Sequence, residues 1–391
     1  MAELAAYNRR MVARVTEPLN RLTEIAPAEA LRRLRRGALL IDVRNPDEHV
    51  VGDVEGSQAI PLASLEAQID SIARDRRQEI LTLCASGKRS MRAAETLARL
   101  GFENVASVAG GFSRWQAEGL PVTRGEFDAD ASERYSRHLL LPEVGAQGQK
   151  RLEQARVVLI GAGGLGSPAA LYLAAAGVGT ITLVDDDNVD KSNLQRQIVH
   201  TDARIGMAKT QSANIALSAL NPRIAIRTET HRIRAENVER LLGGHDVIID
   251  GADNFPTRYL LDAAARRLRI PLVYGAVHRF TGQVSMFDAN RDESPCYRCL
   301  FPNPPGADEA PNCAEAGVLG VVPGIIGLLQ ATEAMKLILR IGTSLVGRLF
   351  CYDALASSFR ELRLTRDPNC PGCGSSAQFR GYEDLVQLCS H

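Results

Sequence analysis

The apolar run Val157-Val158-Leu159-Ile160 passes without a spacer into Gly161-Ala162-Gly163-Gly164-Leu165-Gly166, and a helix-like stretch follows over 167–176. A strand that turns on glycines straight into a helix reaches its next strand by a crossover, and crossovers join parallel strands. This feature commits its surroundings to an α/β fold with a parallel sheet. A second stretch is built the same way: Ile80-Leu81-Thr82-Leu83 runs into Cys84-Ala85-Ser86-Gly87-Lys88-Arg89-Ser90. Backbone N–H groups at such turns favour anions, so the glycine turn suits phosphate and the cysteine turn suits a thiolate. One chain carrying both points to a group activated by a nucleotide and then attacked by sulfur.

At 391 residues, 45% hydrophobic and 24% charged, the chain has a soluble globular composition and is long enough for two domains. Residues 1–23 read as a polar extension. Strand and helix signals alternate over 24–122: helix at 27–36, strands at 39–44, 79–83 and 105–108, and a helix at 90–100 capped by Ser90. That is a small α/β domain with a mostly parallel sheet. A short acidic linker, 123–131, precedes a larger unit, 132–391. Its strands are expected at 157–160, 180–184, 224–228, 247–249 and 272–274, with helices including 167–176 and 209–220, a Rossmann-like sheet.

Basic and acidic residues number 46 each, and the net charge of +0 argues for neither a nucleic-acid nor a membrane partner. The longest apolar stretch, 318–329, is interrupted by Pro323 and three glycines and is too short to span a bilayer. The N-terminus lacks the apolar core of a signal peptide, and Glu3 and Glu17 count against a presequence. Paired reduced cysteines fit the cytoplasm.

At the end of its strand, Cys84 would be held as thiolate or persulfide by backbone N–H groups, a helix dipole and the cations Lys88 and Arg89. The loop Cys84, Ala85, Ser86, Gly87, Lys88 and Arg89 resembles the active loop of rhodanese sulfurtransferases. Ile41-Asp42-Val43-Arg44-Asn45-Pro46-Asp47-Glu48 and Ile60-Pro61-Leu62 match the same family, so the resemblance covers most of 24–122. A cysteine phosphatase closes a C-x5-R loop around phosphate; the spacing here is C-x4-R, a smaller cradle that favours sulfur. The chain departs from the family at Asp53 and Ser57, where rhodaneses often carry His and Ala.

The glycine turn alone would also suit a nicotinamide-dependent oxidoreductase, because Asp185 closes the next strand about twenty residues on and could accept from ribose hydroxyls. The segments beyond it do not suit hydride transfer. They are Ser192-Asn193-Leu194-Gln195-Arg196-Gln197, Ile205-Gly206-Met207-Ala208-Lys209, and Asp253-Asn254 just past a strand. Asn193, Arg196 and Lys209 could neutralise a triphosphate and Asp253 could hold Mg2+, as attack on an α-phosphate requires.

These motifs closely resemble the molybdopterin-synthase and thiamine-pathway adenylyltransferases, bacterial relatives of the ubiquitin-activating enzymes. The match runs from Arg134-Tyr135-Ser136-Arg137 to Cys373. The resemblance implies that Gly164 contacts the nucleotide, Asp185 the ribose, and Asn193, Arg196 and Lys209 the phosphates. Gly161, Gly163, Gly166, Ser192, Leu194 and Gln195 complete the nucleotide-binding set. Asp253 would hold magnesium beside Asn254, and Arg137 would reach into the partner subunit of a homodimer.

Cys296-Tyr297-Arg298-Cys299 and Cys370-Pro371-Gly372-Cys373 offer four thiolates, the donor set of a closed tetrahedral Zn2+ site. Such a site would be structural, clipping a distant C-terminal segment onto the domain. Cys313 lies in a Pro- and Gly-rich stretch, 301–317, that reads as a segment over the active site; relatives carry a cysteine there that can link covalently to the substrate protein. Cys351 reads as core, and Cys389 carries no role. No histidine spacing suggests a metal site or a triad.

The expected activity is ATP- and Mg2+-dependent adenylation of the C-terminal carboxylate of a small ubiquitin-like sulfur-carrier protein, with molybdopterin synthase's small subunit as leading candidate. A Cys84 persulfide, loaded by a sulfur donor such as a cysteine desulfurase, would then convert the acyl-adenylate to a thiocarboxylate. In the familiar fused relatives the rhodanese domain follows the adenylating domain, whereas here it precedes it. Two alternatives remain: a ubiquitin-like conjugating activator with a Cys313 thioester, and a nicotinamide-dependent oxidoreductase with a regulatory rhodanese module.

Overall fold

The protein is seen in a computed structural model that describes residues 22–123, 125, 127–304 and 317–382. It forms two compact units, divided between Ala146 and Gln147. The N-terminal unit is built on five strands: β1 (Thr23–Ile25), β2 (Leu39–Asp42), β3 (Gln58–Ala59), β4 (Ile80–Leu83) and β5 (Val105–Val108). Their order is β1-β5-β4-β2-β3 and every pairing is parallel.

Central β4 is buried along its whole length, which is why it reads as a continuous apolar run rather than an alternation. Successive side chains point to opposite faces. Leu40, Leu81 and Leu83 enter one core with Val108 and Trp115, while Ile41 and Ile80 enter another with Leu65, Ile69 and Leu97.

The helix after β4 spans Lys88–Arg99, so it starts two residues earlier than its sequence signals imply. Gly87 is the N-cap, at φ +93°, and only a residue without Cβ turns there readily. Ser90 is therefore not the cap. Its hydroxyl is turned inward and donates to the Gly87 carbonyl at 2.9 Å. Further on, Phe127, Ala131, Tyr135 and Leu139 cluster with Val50, so this unit's packing runs past residue 131.

The C-terminal unit carries an eight-stranded sheet in the order β13-β12-β11-β10-β9-β6-β7-β8. Its parallel half comprises β6 (Arg156–Ile160), β7 (Thr180–Val184), β8 (Ala225–Glu229), β9 (Val247–Asp250) and β10 (Leu272–His278). An antiparallel wing follows: β11 (Thr281–Phe287), β12 (Arg348–Asp353), which contains Cys351, and β13 (Ser358–Arg363). The strand expected at 272–274 is more than twice as long, because it forms a hairpin with β11.

The apolar stretch at 318–329 belongs to the helix Val321–Leu339, 19 residues long and, by length and composition, apolar enough to cross a membrane. It packs against β10, β11 and the helix Gly166–Ala176. A Cβ on Gly327 would sit 2.3 Å from the Leu165 carbonyl oxygen, so only glycine lets this helix seat there. Its apolar composition is that of a core helix.

Candidate nucleotide and sulfur sites

A cavity of about 410 Å³ opens at the carboxyl ends of the parallel strands in the C-terminal unit. This is where open α/β sheets bind ligands. The turn between β6 and the helix Gly166–Ala176 forms its floor. Gly161 takes φ +98°, and a Cβ on it would lie 2.7 Å from the Gly251 carbonyl oxygen. A Cβ on Gly166 would lie 2.0 Å from the Gly161 carbonyl oxygen, so this glycine serves helix–strand packing. Gly163 and Gly164 line the cavity itself.

Asp185, just past β7, accepts from the backbone N–H groups of Ala162 (2.7 Å) and Asp187 (2.9 Å). Burial pushes its carboxyl up, while the Lys209 ammonium and those two donors pull it back. Lys209 opens the helix Lys209–Leu220 and reaches Asp187 at 2.7 Å. Asn193 accepts through Oδ1 from Gln197 (2.8 Å) and Arg196 (3.3 Å), which orders the turn carrying the arginine. Asp253 is exposed beyond β9 and lines the cavity with Asn254. Asn254 also caps the helix Phe255–Leu268 by accepting from the Thr257 N–H at 3.0 Å.

Gly161, Gly163, Gly164, Asp185, Asn193, Arg196, Lys209, Asp253 and Asn254 are thus brought together from separate segments. Gly166, Ser192, Leu194 and Gln195 lie outside the lining. Ser192 shapes the turn by donating to Asp190, and Gln195 closes against Gly320. Arg137 is exposed on the helix Ser136–Leu139 of the N-terminal unit. Cys313 lies outside the described residues.

The cavity also gains residues that sequence reasoning did not select. Gln197 is buried with its amide beside Gly163 and ends a motif already noted for its arginine. Arg258 donates to the carbonyls of Ala252 (2.8 Å) and Gly275 (3.3 Å), holding the loop that precedes Asp253. Buried Asp250 lies 3.6 Å from Arg258; burial raises its carboxyl to about 6 against the pull of that guanidinium. Arg279 enters the lining from the β10–β11 turn, for which the sequence carried no signal.

In the N-terminal unit the Cys84 sulfur is buried, accepts from the Gly87 N–H at 3.1 Å, and stands 3.5 Å from the Ser90 hydroxyl. Lys88 is exposed. Arg89 makes a two-pronged pair with Glu48, at 2.6 and 2.5 Å, so its charge is shared with a carboxylate rather than given to sulfur alone. Burial raises the Glu48 carboxyl, but Arg89 and the Asn45 N–H outweigh it and hold the group low. Asp53, a departure from the rhodanese pattern, pairs with buried Arg44 at 2.9 Å. Arg44 also grips Asp42 at 2.7 Å and lies 3.9 Å over the Phe112 ring, so Asp53 helps anchor a buried arginine.

The four cysteines of the two C-x-x-C pairs converge within the C-terminal unit. Sulfur separations are 3.5 Å for Cys296–Cys370, 3.3 Å for Cys299–Cys373 and 4.0 Å for Cys296–Cys299. A tetrahedron with bonds of about 2.3 Å sets sulfurs about 3.8 Å apart, so the cluster fits Zn2+.

The ThiF family model matches residues 135–372, and the rhodanese-like domain model matches residues 26–118. The SAMP-activating enzyme E1 of Haloferax volcanii is 49% identical over 67% of this chain and 97% of its own length. The sulfur carrier protein adenylyltransferase of Thermus thermophilus is 46% identical over 66% of this chain and 96% of its own. The probable adenylyltransferase/sulfurtransferase MoeZ of Mycobacterium tuberculosis is 50% identical over 61% of each chain. Among solved structures, MccB of E. coli shares the fold, with TM-score 0.55 and 20% identity over 73% of this chain and 81% of that one. The glycine turn, the arginine turn and Asp253 all fall inside the matched stretch, and the chain belongs to the ThiF family, with a rhodanese-like domain ahead of its adenylation domain.

Proposed function

We propose that this chain uses ATP to adenylate the C-terminal carboxylate of a small ubiquitin-like sulfur-carrier protein and then sulfurates it through Cys84. One observation carries the reading: a single cavity gathers the glycine turn, Asp185, Asn193, Arg196, Lys209 and Asp253. A carboxylate is a poor electrophile. Its oxygen attacks the α-phosphorus, pyrophosphate leaves, and the acyl carbon acquires AMP as a good leaving group. Arg196 and Lys209 face charge that grows on the phosphoryl oxygens, and Asp185 accepts from the ribose. Asp253 offers the hard carboxylate oxygen that Mg2+ prefers, and the bound ion would neutralise triphosphate charge. A nicotinamide enzyme would need neither the two cations nor Asp253.

The outer sulfur of a Cys84 persulfide then attacks the acyl carbon and AMP departs, leaving an acyl disulfide. A thiolate attacks the Cys84 sulfur of that disulfide, the thiocarboxylate leaves, and the new disulfide on Cys84 is reduced by an external dithiol; Cys313 is the chain's own candidate for the attacking thiol. The proposed division of labour follows the chain: 24–122 transfers sulfur and 132–391 adenylates. The reading further includes a homodimer in which Arg137 serves the partner's site, Zn2+ at the four cysteines, a cysteine desulfurase as donor, and a cytoplasmic location suited to reduced thiols. The molybdopterin synthase small subunit leads the candidate carriers. The test is intact-mass spectrometry of candidate carriers incubated with the chain, ATP and a sulfur donor. A gain of one sulfur in place of one oxygen supports the reading; no change in any ubiquitin-like carrier refutes it.

A further inference from the structure

His200 is buried and lies outside the cavity lining, yet it touches three segments that build the cavity. Its Nε2 is 3.0 Å from the Ala162 carbonyl oxygen in the glycine turn, and its Nδ1 is 3.0 Å from the Ser212 hydroxyl. A carbonyl can only accept, so Nε2 carries the proton and Nδ1 accepts from serine. The His200 backbone N–H donates to the Gln197 carbonyl at 3.0 Å, which ties in the arginine turn. Ser212 stands one turn into the helix that begins with Lys209.

The Ala162 backbone is thereby held at both its polar groups: Asp185 takes its N–H at 2.7 Å, while His200 and the Ser167 hydroxyl (3.3 Å) donate to its oxygen. Gly163 and Gly164 follow directly and line the cavity. Burial pushes the imidazole down to about 4, against the raising effect of its Ala162 bond, and the cations Lys209 and Arg204 lower it further. The ring is neutral at physiological pH.

We propose that His200 is a positioning residue for the triphosphate, a strut that sets the glycine turn against the helix carrying Lys209. The inference rests on reading the cavity as an ATP site. It is tested by equilibrium binding of ATP and of adenosine, each with Mg2+, to the full chain. His200→Leu is expected to weaken ATP about tenfold, the loss of one buried hydrogen bond, and adenosine by less than about twofold. His200→Gln, which can present an N–H to the same carbonyl, should bring ATP back to within about threefold of wild type. Equal losses for both ligands, or unchanged ATP binding in His200→Leu, overturn the strut. Should His200→Leu fail to fold, Ser212→Ala keeps the ring and removes only its far anchor. ATP should then weaken about threefold with adenosine unchanged, and unaltered ATP binding overturns the proposal. Wild-type chain that does not bind ATP refutes the nucleotide reading and the strut together; wild-type binding with an unaffected His200→Leu refutes the strut alone.

Discussion

Asp253 and Cys84 sit in different units, and the proposed reaction divides its two steps between them. Asp253 is exposed beyond β9, so its removal leaves little packing to lose. Asp253→Ala should keep its melting temperature and lose carrier-dependent ATP–pyrophosphate exchange by roughly a hundredfold or more, the scale of a removed charge-stabilising group. Normal exchange in the folded variant would end its assignment as the magnesium ligand. Cys84→Ala should behave in the opposite sense: exchange continues, while sulfur transfer from thiosulfate or a desulfurase is lost. Thiocarboxylate formed undiminished from the same donor would exclude Cys84 as the carrier of sulfur. Both residues stand out in the sequence because each follows a strand in a recognisable motif. The engagement of Arg89 by Glu48 was not legible, since the two are distant in sequence and meet only through folding.

At the scale of elements, the glycines of one turn do different work. A Cβ at Gly166 would lie 2.0 Å from backbone, whereas one at Gly163 would meet only the Gln197 amide at 3.5 Å, an ordinary contact. Gly166→Ala should therefore destabilise the chain by about 1–3 kcal/mol in urea unfolding, as overpacking against a backbone does. Gly163→Ala should unfold like wild type but bind ATP more weakly, because its methyl enters the cavity. Equal stability of the two variants would refute this division. Parallel strands such as β4, β6, β7 and β9 were predictable because each is a short apolar run; β1 and β3, with three and two residues and no apolar run, were not expected. Nor was the antiparallel wing. β13 is exposed over most of its length, so its sequence carries little apolar signal, and the pairing of β11 with β12 joins segments separated by the long core helix.

For the whole molecule, the four-cysteine cluster joins segments that precede and follow that helix. One Zn2+ per chain is expected by elemental analysis, with no open coordination position for substrate. Cys370→Ser and Cys373→Ser should lower metal content and melting temperature together, since binding free energy at such a site is largely folding free energy. Each kilocalorie lost shifts the midpoint by roughly 2–4 °C for a unit of this size. Zinc-free wild-type protein, prepared without chelator, would refute the site. Metal loss with unchanged melting and abolished adenylation would refute its structural role.

The chain's local chemistry determined the fold class, the glycine and cysteine turns after two strands, the cysteine pairs and a minority of the cavity's polar residues, among them Asp185, Asn193, Arg196, Lys209, Asp253 and Asn254. Those features are short-range: apolar period, glycine placement and C-x-x-C spacing are all written within a few positions. Tertiary structure alone decided where the helix after Cys84 begins, that Glu48 holds Arg89, and that Asp53 anchors Arg44. It also decided that Arg258, Arg279 and His200 surround or brace the cavity. Each of these depends on which distant backbone a side chain meets after packing, and a strand carries no record of the neighbour it will pair with.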